Sequence, residues 1–346
     1  MDWKEAVESA RGNMGPCKAC PVCDGRACKN TIPGPGAKGS GDVAIRNYAA
    51  WQDIRVNMDT ICPNQPTNTE LELFGRTFAL PVFAGPVGAV KLHYGDRYGD
   101  AEYNDILVPA CADAGIAAFV GDGVDPTVLE AGTAAIQRAG GTGVPTIKPW
   151  DVRTVEEKLE LARECGAFAV AMDVDAAGLP FLQNRQPPAG SKSVDELRRI
   201  ARAAGVPFIV KGIMTPRGAA KAAEAGAAAI VVSNHGGRVL DGTPATAEVL
   251  PAIVREVGDS VAVLVDGGIR SGLDVFRALA LGARAVLMAR PFVTAVYGGG
   301  PAGVNALVEK LRNELADVMR MTGVARLADI DESSVWQTFD PPTTGC

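Results

Sequence analysis

A chain of 346 residues is long enough for one α/β barrel with an extension, or for two smaller domains. Its 47% hydrophobic and 5% aromatic content suits a large core built from Ala, Val, Ile and Leu. A formal net charge of -6 without a basic stripe argues against a nucleic-acid partner, and no apolar run is long enough to span a bilayer.

The first residues, Met1-Asp2-Trp3-Lys4-Glu5, show no charged-then-apolar signal pattern, so the expectation is a soluble cytoplasmic protein. Asp2 to Arg11 suits a short helix. Cys17, Cys20, Cys23 and Cys28 then form a C-x2-C-x2-C-x4-C run. Four thiolates this close could hold zinc or an iron–sulfur cluster. The spacing is tighter than a zinc ribbon, and a loop of reduced or partly disulfide-bonded cysteines is the alternative. Cys62, Cys111 and Cys165 read as small buried or partly buried residues. Thr31 to Gly41, with Ile32-Pro33-Gly34-Pro35-Gly36, reads as a plain connecting loop. Val43 to Asn57 reads as a helix with Ala44, Tyr48 and Trp51 on one face.

From Leu80 onward, short apolar runs alternate with amphipathic windows at a spacing of roughly 30 residues, the mark of repeated βα units. The predicted strands are 80–84, 117–121, 145–147, 167–172, 207–210, 228–232, 261–265 and 285–288. Helices are predicted over 103–114, 126–139, 154–165, 194–204, 216–225, 245–257 and 272–281, several closed by Gly115, Gly140, Gly166, Gly205, Gly226 or Gly282. Pro301 to Met321 reads as a closing helix, and Ser333 to Cys346 as a partly irregular tail. The fold class is α/β: a (β/α)8 TIM barrel over residues 80–346, behind a Cys-rich extension over residues 1–79. A doubly wound sheet would show G-x-G-x-x-G after its first strand, and Gly85-Pro86-Val87-Gly88 is not that.

A barrel puts its chemistry at the C-terminal ends of its strands, and polar groups gather there. They are Pro86, Val87 and Gly88; Asp122; Thr146 and Lys148; Asp173 and Asp175; Lys211; Ser233 to Arg238; Asp266, Gly267, Gly268 and Arg270; and Ala289 with Arg290. His235 is one of two histidines and the natural acid/base group, with Asp175 to orient it. His93 reads as a loop residue. Arg238 is suited to grip a carboxylate. Asp266-Gly267-Gly268 with Arg270 and Arg290 reads as a phosphate site, against a salt bridge between Asp266 and an arginine. Lys211 is placed to stabilise negative charge on a cofactor, against an ion pair with Asp173 or Asp175.

The segments Val210-Lys211-Gly212, Ser233-Asn234-His235-Gly236-Gly237-Arg238-Val239-Leu240-Asp241 and Val265-Asp266-Gly267-Gly268-Ile269-Arg270 resemble the FMN-dependent α-hydroxy acid oxidases and dehydrogenases, among them glycolate oxidase and lactate oxidase. The resemblance covers about 80–295 and is strongest after Val206. It implies FMN at the barrel mouth, held in part by Pro86, Val87, Gly88, Asp122, Thr146, Asp173, Ser233 and Ala289. It implies oxidation of an L-2-hydroxy acid to the 2-oxo acid, with His235 taking the hydroxyl proton as hydride passes to the flavin. Arg238 would bind the carboxylate, Lys211 the flavin N1–C2 edge, and Asp266, Gly267, Gly268, Arg270 and Arg290 the phosphate. The partners are then a small 2-hydroxy acid and an unidentified electron acceptor. Barrels of this kind are often tetramers, which makes a homo-oligomer the expectation.

The departures bear on substrate. The family's N-terminal tyrosine motif is absent, and the cysteines stand in its place. Lys148 stands where a substrate-facing tyrosine is expected, Asp173 replaces a threonine, and Gly121-Asp122 replaces a serine pair. A second carboxylate-binding arginine is matched only weakly, by Arg185. An FMN-dependent reductase or isomerase, or a flavin- or metal-binding electron-transfer or regulatory protein, are the alternative functions.

Overall fold

The computed structural model describes residues 1–182, 186 and 189–336. Arg185 and the end of the tail, including Cys346, lie outside the described residues. Eight strands close a parallel barrel: β1 (Val82–Ala84), β2 (Ala118–Val120), β3 (Gly143–Ile147), β4 (Val170–Asp173), β5 (Phe208–Ile213), β6 (Ala229–Val232), β7 (Ala262–Val265) and β8 (Ala285–Met288). Each pairs with the next, and β8 returns to β1 through Val286–Val82, Leu287–Phe83 and Met288–Ala84. This is the (β/α)8 barrel expected from the alternating pattern.

Helices α1 (Trp3–Ala10) and α2 (Asp42–Asp53) precede the barrel. Around it lie α3 (Val90–Tyr94), α4 (Asp100–Asp113), α5 (Thr127–Arg138), α6 (Val152–Glu164), α7 (Val194–Ala204), α8 (Pro216–Glu224), α9 (Thr246–Val257), α10 (Gly272–Ala280) and α11 (Arg290–Met321). All six glycines expected to stop helices have positive φ. No helix among the described residues is long and apolar enough to cross a membrane.

The strands are apolar on both faces because one face meets helices and the other fills the barrel. Phe83, Phe119, Val144, Ala171, Ile209, Val231, Leu264 and Leu287 form the inner cluster. A hairpin, Leu71–Leu73 with Arg76–Phe78, plugs its floor. The Phe78 ring meets Phe83 edge-on at 4.9 Å. Side chains on one face recur every second residue. Two residues beyond Ala171, Ile209, Val231 and Leu264 stand Asp173, Lys211, Ser233 and Asp266. The same alternation that fills the core therefore delivers charge to the mouth.

Several boundaries differ from expectation by a few residues, and three differences bear on the site. Strand β5 continues past Val210 to Ile213, because pairing resumes at Ile213–Val232 after an irregularity at Gly212. Lys211 is thus inside a strand and 3% exposed. Helix α11 begins at Arg290, with a proline in its first turn, and kinks at Gly300 before Pro301. His93, expected in a loop, is buried on α3, a five-residue helix. Cys62 is exposed, whereas Cys111 and Cys165 are buried as expected. The N-terminal segment lies directly on the barrel's helices: a methyl group added at Gly298 of α11 would sit 1.9 Å from the Ala6 carbonyl oxygen of α1.

Candidate active site

A cavity of about 320 Å3 opens at the C-terminal ends of the strands. Pro86, Val87, Gly88, Asp122, Thr146, Lys148 and Asp173 line one side of it. Lys211, His235, Arg238, Asp266, Gly267, Gly268, Arg270, Ala289 and Arg290 line the other. Asp175 and Ser233 stand behind this surface. The sequence-derived set therefore converges, apart from the four cysteines. Sequence reasoning missed His93, Tyr94, Leu179 and Phe181, which also line the cavity.

His235 stands at φ 56, a left-handed conformation uncommon for a residue with a Cβ. The turn after β6 aims its Nδ1 at Asp175 Oδ1, 3.1 Å away. Asp175 comes this close because residue 212 is glycine: a Cβ there would lie 2.6 Å from the Asp175 Cβ. Burial, then Lys211 and Lys148, push the His235 pKa well below 6.5, with Asp173 opposing. The neutral ring donates through Nδ1–H to Asp175, which leaves Nε2 as a free base. Burial raises the Asp175 pKa, with Lys211 and Lys148 opposing.

His93 is no rival base. Its Nδ1 accepts from the Gly34 N–H at 3.1 Å, and burial, with Arg238, holds its pKa at about 3. The contact also revises the expectation for the Gly/Pro loop. Arg238 Nη1 donates to the Gly34 and Gly36 carbonyls at 2.6 and 3.1 Å, and Arg290 Nε to the Pro35 carbonyl at 2.8 Å. The loop is seated on the site's arginines rather than merely connecting two elements. Burial lowers the Arg238 pKa to about 10, which keeps the guanidinium charged at neutral pH.

Lys211 Nζ lies 3.3 Å from Asp266 Oδ2 and donates to Ser233 Oγ at 3.0 Å. Neither Asp173 nor Asp175, the carboxylates considered from sequence, is its ion-pair partner. Burial alone would lower the Lys211 pKa, but Asp266, Asp175 and Asp173 outweigh it and raise the pKa. Asp266 pairs with this lysine and not with an arginine. Arg270 Nε donates to the Cys23 carbonyl and Arg290 Nη2 to the Gly236 carbonyl.

Asp122 is satisfied within the protein. It accepts from the Lys148 N–H at 2.9 Å and Trp150 Nε1 at 2.7 Å, and pairs with Lys158 Nζ at 2.8 Å. Its carboxylate thus shapes the wall and offers no free oxygen to a ligand. Lys158 carried no signal in sequence, because it lies 36 residues away on α6. We predict that Lys158→Met, which leaves the Asp122 charge buried without its cation, destabilises the protein by about 3 kcal/mol. Denaturant unfolding checks this; an unchanged midpoint would remove the pair from any account of stability. Lys148 Nζ meets Asp173 Oδ2 at 2.5 Å in a second buried pair.

Among the described residues, one set of three or more His, Cys, Asp and Glu donors gathers within 4.8 Å: Asp173, Asp175 and His235. Lys148 and Lys211 already supply cationic charge there. Cys17, Cys20, Cys23 and Cys28 are free, and no three of their sulfurs meet at that spacing.

The cavity suits a flavin phosphate ester. Thr146 Oγ1 and Asp266 Oδ1 are buried without a protein partner, and both residues face the cavity. Leaving such groups unpaired costs roughly 1–3 kcal/mol each, which a polar ligand recovers. The Gly267 and Gly268 N–H groups make no hydrogen bond to the described residues. Both glycines have positive φ, and a Cβ at Gly268 would lie 2.1 Å from the Asn47 carbonyl oxygen. Helix α2 therefore props this turn, with Trp51 Nε1 donating to the Gly267 carbonyl at 2.7 Å.

A family model for FMN-dependent dehydrogenases matches residues 35–192 and 183–337. The L-lactate oxidase of Lacticaseibacillus rhamnosus (strain LMS2-1) is 31% identical over 329 residues, 85% of this chain and 86% of that protein. The L-lactate dehydrogenase of Caulobacter sp. (strain K31) is 50% identical over 132 residues, 38% of this chain. That match spans 35% of the Caulobacter protein, about a third of its length. A lactate oxidase structure from Pediococcus acidilactici superposes with a TM-score of 0.79 at 26% identity, covering 97% of this chain and 94% of that one. A mandelate oxidase carrying an FMN adduct gives 0.76 at 29% identity, covering 89% and 95%.

Proposed function

This chain belongs to the FMN-dependent dehydrogenase family, and we propose that it binds FMN and oxidises an L-2-hydroxy acid of the lactate or glycolate class to the 2-oxo acid. The observation that carries the reading is the neutral, Asp175-oriented His235 facing one cavity with Arg238 and Lys211. Bound FMN would supply the hydride acceptor. Gly267, Gly268, Arg270 and Arg290 would hold its phosphate, and Lys211, Thr146 and the Pro86–Gly88 segment its ring system.

The protein's own groups then divide the work. Arg238 binds the substrate carboxylate once its guanidinium turns from the Gly34 and Gly36 carbonyls. His235 Nε2 receives the hydroxyl proton, and Asp175 stabilises the imidazolium that forms. Lys211, kept charged by Asp266, offsets negative charge beside it. Anaerobic mixing with a panel of L-2-hydroxy acids tests the reading. Bleaching of flavin absorbance by one or more acids is expected. Bleaching by dithionite alone would discard hydroxy acid oxidation.

A second reading rests on the Lys148–Asp173 pair. A lysine at the family's substrate-facing tyrosine position favours a different ligand, as in a reductase or isomerase. The same titration separates the two.

The pKa shift sets a pH dependence. His235 must be neutral to act as a base. Its pKa in the folded protein is depressed, so it stays neutral as pH falls through 6.5. The acid limb of kcat/KM is therefore expected below pH 6.5. A limb at or above that value would mean that the working base is another group or that His235 is not desolvated.

A further inference from the structure

The cysteine-rich segment is not used by the chemistry above, yet one of its carbonyls, that of Cys23, is held by Arg270, which lines the cavity. We propose that Cys17, Cys20, Cys23 and Cys28 ligate a four-iron, four-sulfide cluster that carries electrons from the flavin site to a one-electron carrier protein. The cluster assignment stands on its own; the electron path rests on the flavin reading.

Burial along the segment is the first argument. Residues 17–28 form neither helix nor strand, so no backbone ladder decides which side chains turn inward. All four cysteines are nevertheless half-buried, while Lys18, Arg26 and Ala27 between them are exposed. Val22 is 53% exposed. Four thiols turned inward together on one irregular segment suit a shared ligand.

Sulfur spacing is the second. Tetrahedral zinc with Zn–S bonds of about 2.3 Å draws its thiolates to within about 3.8 Å of one another. No three of these sulfurs gather even within 4.8 Å. A cubane spreads its ligands more widely, because each thiolate binds a different iron. The four cysteines fall within twelve residues of one irregular segment, 17–28. The first three follow the C-x2-C-x2-C spacing of bacterial cluster-binding loops.

Surrounding charge is the third. A cluster with four thiolates is anionic. Arg11 Nη2 reaches the carbonyl of Ala19, next to Cys20, at 3.5 Å. Arg270 Nε donates to the Cys23 carbonyl at 2.9 Å while the same residue lines the cavity. The cluster would stand one side chain from the flavin phosphate site.

The electrons balance. Oxidation of one hydroxy acid to the 2-oxo acid releases two electrons and two protons. The electrons leave singly through the cluster, reducing two molecules of carrier, and the protons pass to solvent by way of His235 and the flavin site.

Anaerobic purification of the full chain, with iron, acid-labile sulfide, zinc and FMN each measured separately, tests the site. About four iron and four sulfide per chain are expected. Zinc at one per chain, or no iron and sulfide at stoichiometry, overturns the cluster. Iron without FMN would sink the flavin reading and leave the cluster standing. The double replacement Cys20→Ser with Cys23→Ser should leave less than about one iron per chain while FMN is still bound. If that variant does not fold, the parent's composition still decides. For the electron path, the hydroxy acid that bleaches the flavin should produce the paramagnetic signal of a reduced cluster. Flavin bleaching with no such signal, and ferricyanide reduction unaffected in the double variant, would overturn it.

Discussion

Replacing His235 with glutamine is expected to lower kcat by roughly 10²–10⁴-fold while FMN stays bound. Glutamine can still donate to Asp175 Oδ1, which His235 approaches at 3.1 Å, so the Asp175–Gly212 packing is retained. What it cannot do is accept a proton. The loss should appear in the rate of flavin bleaching by hydroxy acid under anaerobic single-turnover conditions, with bleaching by dithionite unchanged. His93 is not available as a substitute, because Gly34 N–H occupies its Nδ1 and burial holds its pKa at about 3. A variant that bleaches at the parent rate would show that proton removal is not the work of residue 235. A variant that loses FMN would show instead that the histidine helps to hold the cofactor.

The barrel was legible because its two periods are local. Apolar runs such as Ala229–Val232 and the helices closed by Gly205 or Gly226 need only neighbouring residues to be recognised. The mouth was legible for the same reason, since Asp173, Lys211 and Asp266 follow core residues by two. Pairings across the mouth were not. Lys211 could have met Asp173, Asp175 or Asp266, and only the folded barrel selects Asp266. Arg238 reaches Gly34 and Gly36 across 204 and 202 residues, and Lys158 reaches Asp122 across 36. Such contacts leave no periodic trace. A Gly/Pro-rich loop reads as a connector whether it crosses solvent or seats on two arginines and a histidine. His93 failed for a related reason: α3 has five residues, too few to show a helical period.

Lys211→Met is expected to weaken FMN retention and to cost about 3–5 kcal/mol of stability. Methionine keeps most of the buried stem, so the effect isolates the ammonium group. That group is the cation between Asp266, Asp175 and Asp173, of which Asp173 also pairs with Lys148. Without it, Asp266 Oδ2 loses its partner in addition to Oδ1, which has none in the protein. The three carboxylates then repel one another and any negative charge on a bound flavin. The sign of the linkage follows. The lysine pKa is raised in the folded protein, so its stabilisation is fully present below the unfolded value near 10.5 and fades only above it. The deficit of the variant should therefore be flat across neutral pH. Denaturant unfolding at pH 6, 7 and 8, with FMN per chain measured after gel filtration, would read both effects. An equally stable variant that keeps its flavin would mean that the carboxylates are neutralised by Lys148 alone or by protonation. A deficit that grows steeply toward pH 8 would place the titrating group elsewhere in the cluster and return Lys211 to a bystander.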